Sequence, residues 1–229
     1  TEPGSTGTDW RLHCCLDLFT LCCTDFIITK PDVGESFKNF KVVKNDLFIG
    51  DRAYGRLSGL HYIVENGAHY IARLKNKSFT LFYNGQEFNM VKEFKPLNYG
   101  EIKEWKAEGS TKTGKRKLGL RICVIRKSKE GAEKAIKKAK QTAKKKQNKI
   151  NDETLELHRY IILLTSLPDT ISAKLVLDLY RFRWQVEIAF KRLKSIMGLG
   201  HLPKIDENSC KAWLHGKMFV ALLAQSIID

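Results

Sequence analysis

Between residues 172 and 197, the apolar side chains Leu175, Leu179, Phe182, Val186, Ala189 or Phe190, Leu193 and Met197 recur at spacings of three and four. That period fits the 3.6-residue turn of an α-helix and not a strand, so the spacing predicts one long amphipathic helix that must lay its stripe on an apolar surface. Gly198 and Gly200 close it, and a last helix is predicted from Cys210 onward. Any fold open to this chain has to provide the surface that the long helix covers.

The first half of the sequence supplies strands for that purpose. From Arg11, the residues Leu12, Cys14, Leu16 and Leu18 alternate with mostly polar neighbours, as a half-buried strand requires. A second strand is predicted over residues 21–29 and a short helix within 34–44. The run Leu47-Phe48-Ile49-Gly50 then ends in Asp51. It reads as a central buried strand carrying a carboxylate at its carboxyl end, where open α/β sheets hold their ligands. A helix over 56–65, closed by Asn66-Gly67, and a strand over 69–75 follow. From residue 76 the texture changes to short pieces rich in Phe, Tyr and Val, with turns at Asn84-Gly85, Asn98-Tyr99-Gly100 and Thr113-Gly114. A strand over 116–126, a lysine-rich exposed helix and a closing strand over 159–167 complete this part. The expectation is an α/β fold, a mixed sheet with flanking helices: a first core segment over 1–75, a β-rich insertion over 76–167 and a second core segment over 168–229.

The formal net charge of +15 draws polyanions at long range, and nucleic acid is the commonest of them. Residues 127–149 hold ten lysines against Glu130 and Glu133, a net +8. Such a run is either a nucleic-acid contact or simply a solvated face. There is no apolar run of eighteen residues, so a membrane span is not expected. The opening TEPGSTGTDW has neither a basic start nor an apolar segment, and it reads as a chain entered part-way. The cysteines at 14, 15, 22, 23, 123 and 210 match no zinc spacing, and neighbours on a strand point to opposite faces. Buried free thiols in a reducing, cytoplasmic setting are expected.

On the long helix, Tyr180, Arg183, Glu187 and Lys194 stand at offsets of 0, 3, 7 and 14. At about 100° per residue they share an arc of roughly 60°, about a quarter turn from the apolar stripe. A carboxylate flanked by a phenol and two cations suits a phosphate-handling site. The same spacing also suits surface ion pairs, because Arg183 and Glu187 are ordinary helix partners.

The pattern Y-x2-R-x3-E-x6-K, carried by Tyr180, Arg183, Glu187 and Lys194 within YRFRWQVEIAFKRLK, resembles the signature of the insertion-sequence-4 family of DDE transposases. The stretch FIGDRAYG (48–55) is similar to that family's apolar strand leading into Asp-Arg-x-Tyr-Gly, and STGTDWRLH (5–13) to the segment after its first catalytic aspartate. The resemblance implies a ribonuclease H-like core interrupted by a β-rich insertion. It further implies catalytic carboxylates that hold two Mg²⁺ (or Mn²⁺) ions, with Asp51 and Glu187 as the second and third of them. Tyr180, Arg183, Lys194 and Arg52 would hold the DNA backbone, although Arg52 also suits pairing with a nearby carboxylate. Lys134, Lys137, Lys138, Lys144 and Lys145 would add salt-sensitive affinity for double-stranded DNA. A homo-oligomer in a synaptic complex and a bacterial, nucleoid-associated location are implied as well. Trp184 either stacks on a displaced base or packs on the helix flank.

The pattern departs at its start, where the family's first aspartate would fall upstream of Thr1. Asp9, in a Gly/Ser/Thr-rich turn, and Asp17, on an expected strand, do not replace it. The expectation is an N-terminally truncated transposase with weak or no activity by itself. Two other classes remain open: a non-catalytic DNA-binding regulator derived from a transposase, and a two-metal nuclease or resolvase that cleaves without joining.

Overall fold

A computed structural model describes residues 10–75, 78–111, 113–114, 116–196, 198 and 206–228. Two compact units emerge, Thr1–Lys41 with Phe182–Asp229, and Val42–Arg181. The first begins with β1 (Arg11–Leu16) and β2 (Cys23–Thr29), an antiparallel hairpin with an irregular register between Cys15 and Leu16.

The second unit follows in chain order as β3 (Leu47–Gly50), α1 (Leu57–Glu65), β4 (His69–Arg73), β5 (Thr80–Tyr83), β6 (Gln86–Glu87) and α2 (Met90–Phe94). It continues through β7 (Ile102–Ser110), β8 (Lys117–Arg126), α3 (Lys129–Lys145), α4 (Asp152–Leu157), β9 (Tyr160–Thr165) and α5 (Ala173–Arg181). The chain then returns to the first unit with α6 (Trp184–Ile196) and α7 (Glu207–Ile228).

Seven strands make one mixed sheet in the order β3-β4-β9-β8-β7-β5-β6. Among the described strands only β3 and β4, linked by a crossover through α1, run parallel; every other pair is antiparallel, β8 and β9 included although α3 and α4 join them. β9 is the joint. It pairs with β8 from Arg121↔Thr165 to Arg126↔Tyr160, and with β4 through Ile71↔Thr165, Ala72↔Leu164 and Arg73↔Leu163. The strands that begin after residue 76 therefore extend the sheet that contains β3 and β4.

Alternation along these strands gives the sheet two apolar faces. On one, Val176 and Leu177 of α5 close over Ile71, Cys123 and Leu163, all buried. Each such side chain contributes about 1.5–3 kcal/mol of burial. On the other, Phe94 of α2 meets Trp105 and Tyr160 at ring-centroid distances of 5.3 and 5.5 Å, with Phe88 also against Trp105. α2 and α4, which no long apolar period announces, are started by Asn89 and Asn151, whose side chains accept from Lys92 N and Thr154 N.

Two expectations need correction. β3 is one of the two edge strands of the seven, only partly buried, rather than a central one. The single long helix is two helices: α5 stops at Arg181 and α6 starts at Trp184, with tight turns from Gln185 N to Phe182 O (2.9 Å) and Val186 N to Arg183 O (3.1 Å). The break falls where Phe182 and Trp184, both poor at holding a helix by propensity alone, are more than half exposed, so tertiary packing does not bridge it. Met197 and Gly200 lie outside the described residues; Gly198 is described and takes the left-handed φ of +61°.

In the first unit β2 packs on α7: Cys23 N donates to Gln225 Oε1 at 2.9 Å, Lys30 pairs with Glu207 at 2.9 Å, and Phe26 faces His215 at 6.2 Å. Buried His13 holds Thr29 Oγ1 (2.9 Å) and Asn39 Nδ2 (3.3 Å) on its two ring nitrogens. Cys14, Cys123 and Cys210 are buried free thiols, whereas Cys15, Cys22 and Cys23 are only half-buried. The Sγ atoms of Cys14 and Cys23 approach to 3.0 Å across the hairpin. No helix among the described residues is long and apolar enough to cross a membrane.

Candidate active site and nucleic-acid interface

Asp51 is the first residue beyond β3, so the parallel strand delivers its carboxylate to the sheet end. The backbone turns there at once. Asp51 Oδ1 accepts from Ala53 N at 2.7 Å and its carbonyl from Tyr54 N at 3.2 Å, an Asx turn that fixes the side chain. Gly55 then passes so close to β4 that a Cβ on it would lie 2.4 Å from the Arg73 carbonyl oxygen. Glycine is required by this approach, and it locks the loop bearing Asp51 and Arg52 against the end of β4.

Arg52 points its guanidinium into a partly desolvated region with Arg73, Tyr180 and Asp51 as its charged or ionisable neighbours. Burial, and then Arg73, lower its basicity; Tyr180 and Asp51 oppose them. Its side chain is nevertheless exposed along part of its length. No salt bridge joins Arg52 to an acid among the described residues. Tyr180, on the last turn of α5, packs against the apolar cluster under the sheet.

In the other unit, Glu187 lies in the first turn of α6, where the helix dipole favours an acid. Arg183 donates to Glu187 Oε1 at 2.7 Å, with side chains 24% and 41% exposed, so the expected helix-surface ion pair is formed. No single continuous helix carries Tyr180, Arg183, Glu187 and Lys194: Tyr180 belongs to α5 and the sheet unit, the other three to the first unit. The side chain of Lys194 lies outside those described. Trp184 is 52% exposed, with Lys191 Nζ of the same helix 5.8 Å from its ring centroid.

Asp17 sits in the β1–β2 turn instead of on a strand, its Oδ1 accepting from Phe19 N and Thr20 N at 2.7 and 2.9 Å. Asp9 is outside the described residues. As oxygen donors, Asp51 and Glu187 fit a hard divalent ion in kind. Among the described residues, no three His, Cys, Asp or Glu gather as a metal set.

The lysine run forms α3, capped by Ser128 Oγ accepting from Gly131 N at 3.2 Å. Ala132 is buried, and Ala135, Ile136, Ala139 and Ala143 make a half-covered stripe. Lys134, Lys137, Lys138, Lys144 and Lys145 are all exposed, and none makes a salt bridge among the described residues. Three cationic or ionisable groups near Arg52 were not foreseen from the sequence: Arg73, Lys127 and His158. Burial first, then Arg73 and Arg52, bring Lys127 down to about 8; burial, Arg52, Lys127 and Arg73 lower His158. Their only local signal was position at strand ends.

A carboxylate at the carboxyl end of a parallel strand, beside an arginine that makes no salt bridge among the described residues, in a chain of +15, defines a basic α/β protein whose charge attracts polyanions. Residues 4–223 match the transposase DDE domain, and the chain belongs to that family. The InsL product of insertion sequence element IS186A in Escherichia coli (strain K12) is 32% identical, across 100% of this chain and 64% of its own length. The transposase for insertion sequence element IS421 of Escherichia coli is also 32% identical, across 100% of this chain and 63% of itself. The transposase for IS231F of Bacillus thuringiensis subsp. israelensis is 26% identical, across 79% and 41%. The chain thus spans less than two thirds of these relatives.

Proposed function

We propose that this chain is the catalytic portion of an insertion-sequence-4-type DDE transposase, cleaving double-stranded DNA and transferring the strand on a ribonuclease H-like core. The observation that carries the reading is the position of Asp51, held at the end of β3 by its own Asx turn, within a chain matched from residue 4 to 223 by the transposase DDE domain. Asp51 and Glu187 would hold two Mg²⁺ or Mn²⁺ ions. Such a pair activates a water or 3′-hydroxyl and stabilises the leaving oxygen of a phosphodiester.

The chain's own residues supply the rest. Arg52, Arg183, Lys194 and Tyr180 donate to backbone phosphates, and the exposed lysines of α3 add sequence-independent affinity. In this reading residues 76–167 are an insertion into a core made of 1–75 and 168–229, and the protein works as a homo-oligomer on paired DNA ends in the bacterial cytoplasm.

The Arg183–Glu187 ion pair favours a second reading, in which a transposase-derived protein binds DNA without cutting it. Asp51→Asn and Glu187→Gln separate the two. The catalytic reading expects each to lose Mn²⁺ binding, followed by electron paramagnetic resonance, and Mg²⁺-dependent nicking, while duplex affinity is kept or raised because a negative charge has gone. Unchanged Mn²⁺ binding and unchanged DNA affinity in both variants would sink it and leave the binding-only protein.

A further inference from the structure

At one end of the large sheet, cationic groups arrive from four neighbouring strands. β3 and β4 run parallel with Gly50 opposite Ala72, so Arg52 and Arg73 both leave at their carboxyl ends. β9 is antiparallel to β4 and enters from that end, which puts His158 there, two residues before Tyr160. β8 is antiparallel to β9 and leaves there through Arg126↔Tyr160, so Lys127 follows directly. Lys127 N donates to Arg159 O at 3.0 Å and Lys127 Nζ to His158 O at 2.6 Å, which ties the two segments together.

Arg52, Arg73, His158 and Tyr160 line one small cleft over Leu74 and Ile162. The acids nearby are otherwise engaged. Glu156 accepts from Arg159 Nε at 2.8 Å and from Tyr160 Oη at 3.2 Å; Asp51 accepts from Ala53 N. Among the described residues, no carboxylate forms a salt bridge with Arg52, Arg73 or Lys127. Positive charges gathered in a partly desolvated cleft are unfavourable unless an anion joins them. Two guanidinium forks and an ammonium favour a phosphate over a single carboxylate.

We propose that Arg52, Arg73, Lys127 and His158 form a phosphate site at this end of the sheet, which takes one backbone phosphate of a DNA strand lying past Asp51. The DNA source rests on the reading above; the site rests on the strand ends. α3 and α4 connect β8 to β9 at this same end, so the exposed lysines continue the track that a nucleic-acid backbone would follow.

The test uses Arg73→Gln, Lys127→Gln and the charge-keeping Arg73→Lys in the whole chain, each checked for native circular dichroism. Inorganic phosphate, against chloride at equal ionic strength, is expected to raise the melting temperature of the parent and of Arg73→Lys, and to lose that effect in both Gln variants. For duplex DNA, the slope of log affinity against log salt is expected to fall by about 1 in each Gln variant. A phosphate-induced rise that persists in the folded Gln variants overturns the site, even if DNA binds. A parent chain that responds to phosphate through these residues but binds no duplex overturns the DNA source and points to free phosphate groups.

Discussion

Gly55 and His13 show how single residues hold the two units in working order. At Gly55 the 2.4 Å approach to the Arg73 carbonyl leaves no space for a methyl group, and the obstacle is backbone. Gly55→Ala must push the Asp51 loop away from β4, at a cost of about 1–3 kcal/mol as for other overpacked sites. A melting temperature lowered by several degrees, with weakened Mn²⁺ binding, is the expected outcome; unchanged values for both would show that the loop is not braced there. His13 is buried and, chiefly through burial and then Arg11, has its pKa held below the ordinary 6.5, against Glu35. A base depressed in the folded state binds more protons when unfolded, so its contribution falls as the pH drops below about 6.5. His13→Gln, which retains a donor and an acceptor for Thr29 and Asn39, is expected to flatten the loss of thermal stability between pH 7.5 and 5. An equally steep loss in the variant would assign the acid sensitivity elsewhere.

α3 is the element whose sequence is least ambiguous in form and most open in role. Its capping serine, alanine stripe and lysine face make a helix with one side half covered and the other charged. Replacing Lys134, Lys137, Lys138, Lys144 and Lys145 with Gln is expected to reduce the salt slope of DNA binding by about 0.9 per phosphate contact removed. No change in slope would make the lysines a solvated face only. Elements with a strong local signal were readable from the sequence: α1 with its Asn66-Gly67 stop, the hairpins at Asn84-Gly85 and Gly114, and β3 running into Asp51. Their causes lie within a few residues. The interruption at Phe182 and Arg183 was not readable, because the apolar period runs straight across it. The edge position of β3 depends on which strand pairs with β4, and no local pattern encodes that.

For the whole molecule, Asp51 and Glu187 are candidates that a motif suggests, whereas Arg73, Lys127 and His158 become neighbours only through three successive strand pairings. That is why a chemically coherent group stayed hidden among scattered positions. The same pairings have a mechanical side. α3 and α4 form an arm fixed at both roots, in β8 and in β9, and β9 is hydrogen-bonded in turn to β4 beside the Asp51 loop. A pull on that arm does not dissipate in a slack tether. In the proposed reading, a duplex held by the α3 lysines would load strands that are hydrogen-bonded, through β9, to the one bracing Gly55.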